Sequence, residues 1–138
     1  MLFRSRGWQV VRFEFPYMGR MRQSGKRCAP DRLPKLQEAF REQVSMAGPG
    51  APLLIGGKSM GGRVATMLAA DGFECDGLIL FAYPLHPAGQ PEKRRDAHLP
   101  RIACPVLCFN GTRDSLCRQD LMEGVVRRLG RKIGRAHV

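Results

Sequence analysis

Short continuous apolar runs alternate along the chain with segments whose apolar residues recur at helical spacing. Continuous apolar runs at 53–55, 77–83 and 104–110 predict strands buried on both faces, because such strands show no polar alternation. The Val- and Phe-rich segment 9–15 predicts one more strand, closed by Pro16. The sequence therefore indicates four strands, of which the last three are the most apolar.

Helices are predicted between these strands. Leu33, Leu36, Phe40 and Val44 give one apolar helix face, and Asp31 is expected to cap that helix. Two later helices are predicted from a second set of apolar residues: Val64, Ala65, Met67, Leu68, Leu121, Val125 and Leu129. Alternating strands and helices are typical of an α/β fold with a parallel sheet, in which loops at the carboxyl ends of the strands carry function.

Polar segments separate the remaining elements. The basic segment 17–30 is predicted to be a loop, and 89–101 a loop or a single helical turn. His98 lies in the second of these without a motif around it, so we expect it to be a solvated loop residue.

A glycine-rich turn joins the first buried strand to the helix after it. Its residues Gly57-Lys58-Ser59-Met60-Gly61 match G-x-S-x-G, and strand, sharp turn and helix are the context that a nucleophile elbow requires. Ser59 is the candidate nucleophile. The Met60 N–H, at the start of the helix, is the candidate donor to a developing oxyanion. Glycine is expected at both flanking positions so that the backbones can approach closely.

Two alternatives compete for this turn. A phosphate-binding G-x-x-x-x-G-K-[ST] loop needs glycine five positions before Gly57, where the chain has Pro52. The chain therefore lacks the first glycine of that motif. The other is a glycine-rich strand-to-helix turn that carries no chemistry.

Asp114 is the candidate acid of a catalytic triad. It follows the buried strand 104–110, and this topology orders its triad as serine, acid and histidine. The acid would hold the imidazole in one tautomer and stabilise its charged form. The alternative for Asp114 is an Asx turn or a helix cap. The one histidine after it is His137.

Four blocks of sequence carry a resemblance to a known family: QVVRFEFPYM at 9–18, GGKSMGGR at 56–63, YPLHP at 83–87 and GTRD at 111–114. In this order they resemble small α/β-hydrolases related to dienelactone hydrolases. That group includes the testis-expressed and the chromatin (NSL) complex hydrolase-like proteins. The resemblance covers about residues 7–130.

The resemblance implies an α/β-hydrolase core, a three-layer sandwich with a parallel sheet. It implies Ser59 as nucleophile and Asp114 as acid, acting on an ester, thioester or related acyl bond, with no cofactor and no metal. Lys58, Tyr83 and His86 are the candidates for lining the substrate site, and a structural loop histidine is the alternative for His86. A catalytically silent, hydrolase-like interaction module is the alternative function.

Both ends of the chain depart from the family pattern. The family's second oxyanion N–H lies in a loop before the strand at Val10–Phe15, and this sequence is expected to begin after that loop. The family's catalytic histidine follows a further strand beyond the last helix, and no such strand is expected here. Segment 133–138 shows no apolar periodicity and matches one translated frame of a common sequencing-library adapter. We therefore expect residues 1–132 to be a partial α/β-hydrolase domain, 133–138 to be non-native, and this chain to be inactive as it stands. Long reads of the locus that reproduce these six codons would contradict the second expectation.

Charge and cysteine content change the picture little. The net charge is +11, and a cluster at the end of the chain contributes much of it: Arg127, Arg128, Arg131, Lys132 and Arg135. No aromatic residues interleave with these charges, so a small-molecule acyl substrate is expected rather than nucleic acid. Five cysteines without metal spacing, no secretory signal and no membrane-length apolar run favour reduced thiols in the cytoplasm. The oligomeric state is left open.

Overall fold

The computed structural model describes residues 7–49, 52–130 and 133–137. These residues belong to two compact units, 1–49 and 50–138.

The first unit contains two helices, α1 (Pro16–Ser24) and α2 (Leu33–Ala47). Proline is tolerated in the first turn of α1 because its missing N–H would have no helical acceptor there. Gly25 ends the helix with φ 67°, and its N–H donates to the Met21 carbonyl over 2.9 Å. The prediction of a loop over 17–30 is therefore wrong for its first part.

Segment 9–15 is not a strand. Its aromatic side chains pack instead: the Phe13 ring meets those of Phe15 and Phe40 edge to face, at centroid distances of 5.4 and 5.1 Å. A strand needs a partner for its backbone groups, and no strand of the first unit's described residues supplies one. High β propensity alone did not overcome that lack.

Helix α2 confirms the prediction of a helix with one apolar face, and Leu36 and Phe40 are buried. Asp31 does not cap it. The N-cap position belongs to Arg32, whose side chain makes no capping hydrogen bond. The Asp31 carboxylate instead forms ion pairs with Arg20, at 2.8 Å, and with Lys35, at 3.4 Å. The helix N-terminus would also attract this carboxylate, but the two nearby cations bind it instead.

The second unit is a parallel α/β structure. Its elements are β1 (Leu54–Lys58), α3 (Met60–Ala70), β2 (Gly77–Phe81), β3 (Val106–Asn110), α4 (Gln119–Leu129) and β4 (Ile133–His137), with a 3₁₀ turn at Leu99–Arg101. The four strands are all parallel and lie in the order β1-β2-β3-β4. The predicted α/β fold with a parallel sheet is confirmed.

The two faces of this sheet differ in burial. One face is closely covered, with Ile55, Leu78 and Val106 each at most 5% exposed. Leu80 of the same face packs against α3: its Cδ2 lies 3.5 Å from the position that a Cβ on Gly62 would occupy. On the opposite face Phe81 and Leu107 are 41% and 39% exposed, so the expectation that these strands are buried on both faces is wrong for β2 and β3.

Strand β4 corrects the expectation that no strand follows the last helix. Residues 133–137 pair with β3 in register, Ile133 beside Val106 and His137 beside Asn110. The segment lacks a strand pattern of its own, so pairing with a neighbour decides its conformation. Whether 133–138 are native remains a prediction.

None of the described helices has the length and apolarity to cross a bilayer. The longest is α2 with 15 residues, against about 20 for a typical membrane span.

A buried carboxylate ties the segment after β2 to α4. Asp96 is 7% exposed and accepts hydrogen bonds from Arg94, at 2.5 Å, and from Arg128. Burial by itself would raise the pKa of Asp96, but the hydrogen bonds from the two guanidinium groups outweigh burial and hold this pKa below its usual value.

We expect Asp96→Asn to lower the free energy of unfolding at pH 7 by about 1–3 kcal/mol, since charge-assisted hydrogen bonds are lost. Because the folded-state pKa is depressed, this contribution is present above the usual aspartate pKa and is lost as the pH falls through the folded value. Urea titrations at pH 7 and near pH 2 measure the difference. Glu92→Gln, at an exposed position in the same segment, is the control. A penalty that persists at low pH would contradict the ion-pair explanation.

Candidate active site

Ser59 lies on a strained turn between β1 and α3. Its backbone has φ 51° and ψ −113°, a combination that non-glycine residues rarely adopt. The conformation is held from both sides, because the Ser59 N–H donates to the Phe81 carbonyl over 2.9 Å and its carbonyl accepts from the Arg63 N–H over 3.0 Å. The predicted succession of strand, sharp turn and helix is confirmed, and the role of Ser59 as nucleophile stays a prediction.

Close approach at this turn depends on Gly57 and Gly62. A Cβ on Gly62 would lie 2.8 Å from the Gly57 carbonyl oxygen, and one on Gly57 would lie 2.8 Å from the Gly61 carbonyl carbon. Gly61 itself faces open space, with nothing within 4 Å of an added Cβ. The expectation that Gly61 is needed for the approach is therefore wrong; the residue after it has that role.

Met60 is the first residue of α3. Its N–H consequently has no acceptor within the helix, and it lies at the positive end of the helix dipole. Both features suit a donor to an oxyanion on an acyl group attached to Ser59.

The end of the neighbouring strand is also strained. Ala82, directly after β2, has φ 49°, and its N–H donates to the Phe109 carbonyl over 2.8 Å. Among the described residues, Ser59 and Ala82 are the non-glycine residues with positive φ. Strain of this kind concentrates where a fold positions functional groups, and here both instances lie at the carboxyl edge of the sheet.

Asp114 lies at the same edge, in the loop after β3. Its carboxylate Oδ1 accepts a hydrogen bond from the Leu116 N–H over 2.9 Å, so the Asx turn that the sequence left open is present. Strands β1 and β3 are separated by β2, which places their ends about 10 Å apart. An imidazole would have to bridge Ser59 and Asp114, and the acid role stays a prediction.

Sequence analysis missed Asn110, the last residue of β3. It is 7% exposed; its Nδ2 donates to the Tyr83 carbonyl over 3.3 Å, and its Oδ1 accepts from the Cys108 thiol over 2.8 Å. The side chain thus joins the end of β3 to the loop that follows β2. A polar residue ending an otherwise apolar strand is the signal that could have found it.

His86 is fixed in one tautomer by its contacts. It is 2% exposed; its Nε2 accepts from the Arg118 N–H over 3.0 Å, which leaves Nδ1 to donate to the Pro87 carbonyl over 2.8 Å. Both ring nitrogens are therefore engaged by backbone groups. These contacts favour the structural alternative for this histidine.

The other two candidates for lining the substrate site differ in exposure. Tyr83 is 1% exposed and donates its hydroxyl to the Arg95 carbonyl over 2.7 Å. Burial raises the pKa of Tyr83 to about 12. Lys58, directly before Ser59, is exposed at the end of β1. Of these two, Lys58 is the one that a substrate could reach without displacing an existing contact.

His98 is not a solvated residue. Its Nε2 lies 2.9 Å from the hydroxyl of Thr66, a fully buried residue of α3 that donates to the Arg63 carbonyl. Burial lowers the pKa of His98, followed in effect by the charge of Arg101. The sequence could not reveal this contact, because the two residues are 32 positions apart.

The structure does not bring a described histidine side chain to Ser59 and Asp114. His86 and His98 have the partners given above, while the backbone of His137 stands at the carboxyl end of β4, beside Asn110. No group of three or more potential metal ligands occurs within 7–49, 52–130 and 133–137.

Two comparisons with known proteins bear on this geometry. Residues 2–134 match a family model described as an alpha/beta hydrolase domain. The structure is also similar to that of TT1662 from Thermus thermophilus, with a TM-score of 0.57 and 22% sequence identity over 77% of this chain. The chain spans about half, 54%, of the length of that protein, and at this identity the likeness shows the fold alone. On the family match, this chain belongs to the alpha/beta hydrolase domain family.

Proposed function

We propose that this domain is a serine hydrolase, in which Ser59 attacks the carbonyl carbon of an ester, thioester or related acyl bond. The observation that carries the proposal is the strained backbone of Ser59 at the junction of β1 and α3. The turn lies at the carboxyl edge of a parallel sheet, where families of this fold place their nucleophile.

The first chemical step forms a tetrahedral intermediate. As the Ser59 oxygen bonds to the carbonyl carbon, negative charge develops on the former carbonyl oxygen. The Met60 N–H supplies one donor to that oxygen, assisted by the dipole of α3. Collapse of the intermediate expels the alcohol or thiol and leaves an acyl group on Ser59, which water then removes.

A base is needed because a serine hydroxyl is un-ionised at neutral pH. We assign Asp114 as the acid that orients the imidazole, on account of its position at the carboxyl edge one strand beyond β2. The imidazole belongs at the carboxyl end of the strand beside β3, the position that β4 occupies here.

Ser59→Cys tests the turn independently of any base, because a thiol ionises far more readily than a hydroxyl. The Met60 N–H and the helix dipole should lower the pKa of the new thiol. We expect iodoacetamide to alkylate it roughly tenfold faster at pH 7 than an ordinary thiol. We also expect p-nitrophenyl acetate to release one equivalent of p-nitrophenolate and leave acetyl at position 59, which peptide mass spectrometry detects.

The matched control is Ser115→Cys, an exposed position in the loop after β3, with Cys28→Ser, Cys75→Ser and Cys104→Ser in both backgrounds to remove the native thiols that a small reagent can reach. Residue 59 is only half-buried, so greater exposure cannot explain a faster reaction there. Equal rates at the two positions would contradict the proposed oxyanion site. Fast alkylation without acetyl transfer would favour the silent interaction module.

A further inference from the structure

Two thiols of the second unit lie side by side at the amino edge of the sheet, the edge opposite Ser59. Cys75 comes two residues before β2, and Cys104 comes two residues before β3. Their Sγ atoms are 3.6 Å apart, and both residues are free cysteines. A disulfide bond is about 2 Å long, so a small side-chain rotation would join them.

The sheet itself sets this proximity. Strands β2 and β3 are parallel neighbours, and the Leu78 N–H donates to the Pro105 carbonyl over 2.9 Å, just beyond the two cysteines. On the other side of β2, the Asp76 N–H donates to the Leu53 carbonyl over 2.8 Å, and the Asp76 carboxylate accepts from the Leu53 N–H over 2.7 Å. Residues next to both thiols are thus fixed by backbone hydrogen bonds, so the pair is part of the folded structure.

Exposure separates this pair from the other cysteines. Cys75 and Cys104 are half-buried, so a small reagent can reach them. Cys108 and Cys117 are each only 2% exposed, and Cys28 belongs to the first unit. Cys75 and Cys104 therefore combine access with a neighbouring thiol.

We propose that Cys75 and Cys104 are a modification site, which a small-molecule disulfide converts to an intramolecular disulfide linking the amino ends of β2 and β3. One cysteine thiolate attacks a sulfur of oxidised glutathione and expels one reduced glutathione. The second cysteine thiolate then attacks the protein-bound sulfur and expels the other. The two protein thiols lose two electrons and two protons, and one oxidised glutathione becomes two reduced molecules.

Reaction should be slow at neutral pH. Burial, and then the hydrogen bond with Cys104, raise the pKa of Cys75 to about 12, which keeps its thiolate fraction small. Because the thiolate is the attacking species, the rate should rise with pH between 7 and 9. The rise should be roughly tenfold per pH unit as long as attack by the Cys75 thiolate limits the rate.

The test is to incubate the folded protein with excess oxidised glutathione, block the remaining thiols and digest it with trypsin without reduction. We expect peptide 64–93, which carries Cys75, linked to peptide 102–113, which carries Cys104 and Cys108. Cys104→Ser should abolish the link, whereas Cys108→Ser and Cys28→Ser should retain it. Reduction with dithiothreitol should reverse it.

A second readout needs no variant. The link spans 29 positions, so it should raise the thermal midpoint of the oxidised protein by about 10 °C through its effect on the unfolded chain. The proposal is overturned if glutathione adds to Cys75 or Cys104 without forming the link, if the link uses Cys108, or if it forms only in urea.

Discussion

Fluorophosphonate probes are expected to leave Ser59 of the 138-residue chain unmodified, and ester turnover should be undetectable. The reason is that no histidine side chain that the structure describes is placed to act as the base. His86 has both ring nitrogens bonded to backbone groups, and His98 contacts Thr66. Loss of the base alone costs a factor of about 10⁶ in a well-studied serine hydrolase. Gel fluorescence after probe treatment, with Ser59→Ala as the blank, measures the result.

His137 provides the decisive control. It stands at the carboxyl end of β4, where an imidazole would be needed, in the segment that we expect to be non-native. If Ser59 is labelled and His137→Ala removes the label, then residue 137 supplies the base and the expectation of inactivity is wrong. The reactivity of the Ser59→Cys variant, prepared in the same way, shows that the turn itself is folded.

Gly62→Ala and Gly61→Ala should have opposite effects on stability, although the residues are adjacent. At Gly62 the new methyl group would lie 2.8 Å from the Gly57 carbonyl oxygen, a backbone atom that cannot move without separating α3 from β1. We expect a loss of about 3 kcal/mol in the free energy of unfolding. At Gly61 the methyl group meets nothing, so the higher helix propensity of alanine should add about 0.5–1 kcal/mol.

Urea unfolding of the two variants beside the parent chain measures both effects, and the reactivity of Ser59→Cys in each background reports on the turn. A Gly62→Ala protein as stable as Gly61→Ala would show that the turn can open without cost. It would also remove the physical reason for the conformation of Ser59.

The sequence predicted the second unit well. Its apolar runs are long enough and buried enough that β1, β2 and β3 follow from local pattern, and the glycine-rich turn follows from the motif at Ser59. Local patterns failed where a long-range partner decides the structure. Segment 9–15 has strand propensity but no strand to pair with, and β4 has no strand pattern but lies beside β3.

The candidate site divides in the same way. The turn at Ser59 was predictable because all the residues of its motif are consecutive, at 57–62. The contacts of His98 with Thr66 and of Asn110 with Tyr83 were not, since each joins residues from separate elements. One wrong prediction is local: the sequence predicts that Pro16 ends a strand, whereas Pro16 is the first residue of α1. A proline is compatible with both positions, and Gly25 at the far end was the signal that distinguishes them.

The strand order of the second unit has a consequence for its synthesis. Because β1, β2, β3 and β4 are neighbours in the same order in which they occur along the chain, each strand emerging from the ribosome meets the strand made just before it. The sheet can therefore grow at one edge during translation, without waiting for a distant segment. One exposed edge of the nascent sheet is then the newest strand, while β1 stays at the other edge, so unpaired backbone groups remain on both sides until each edge is covered.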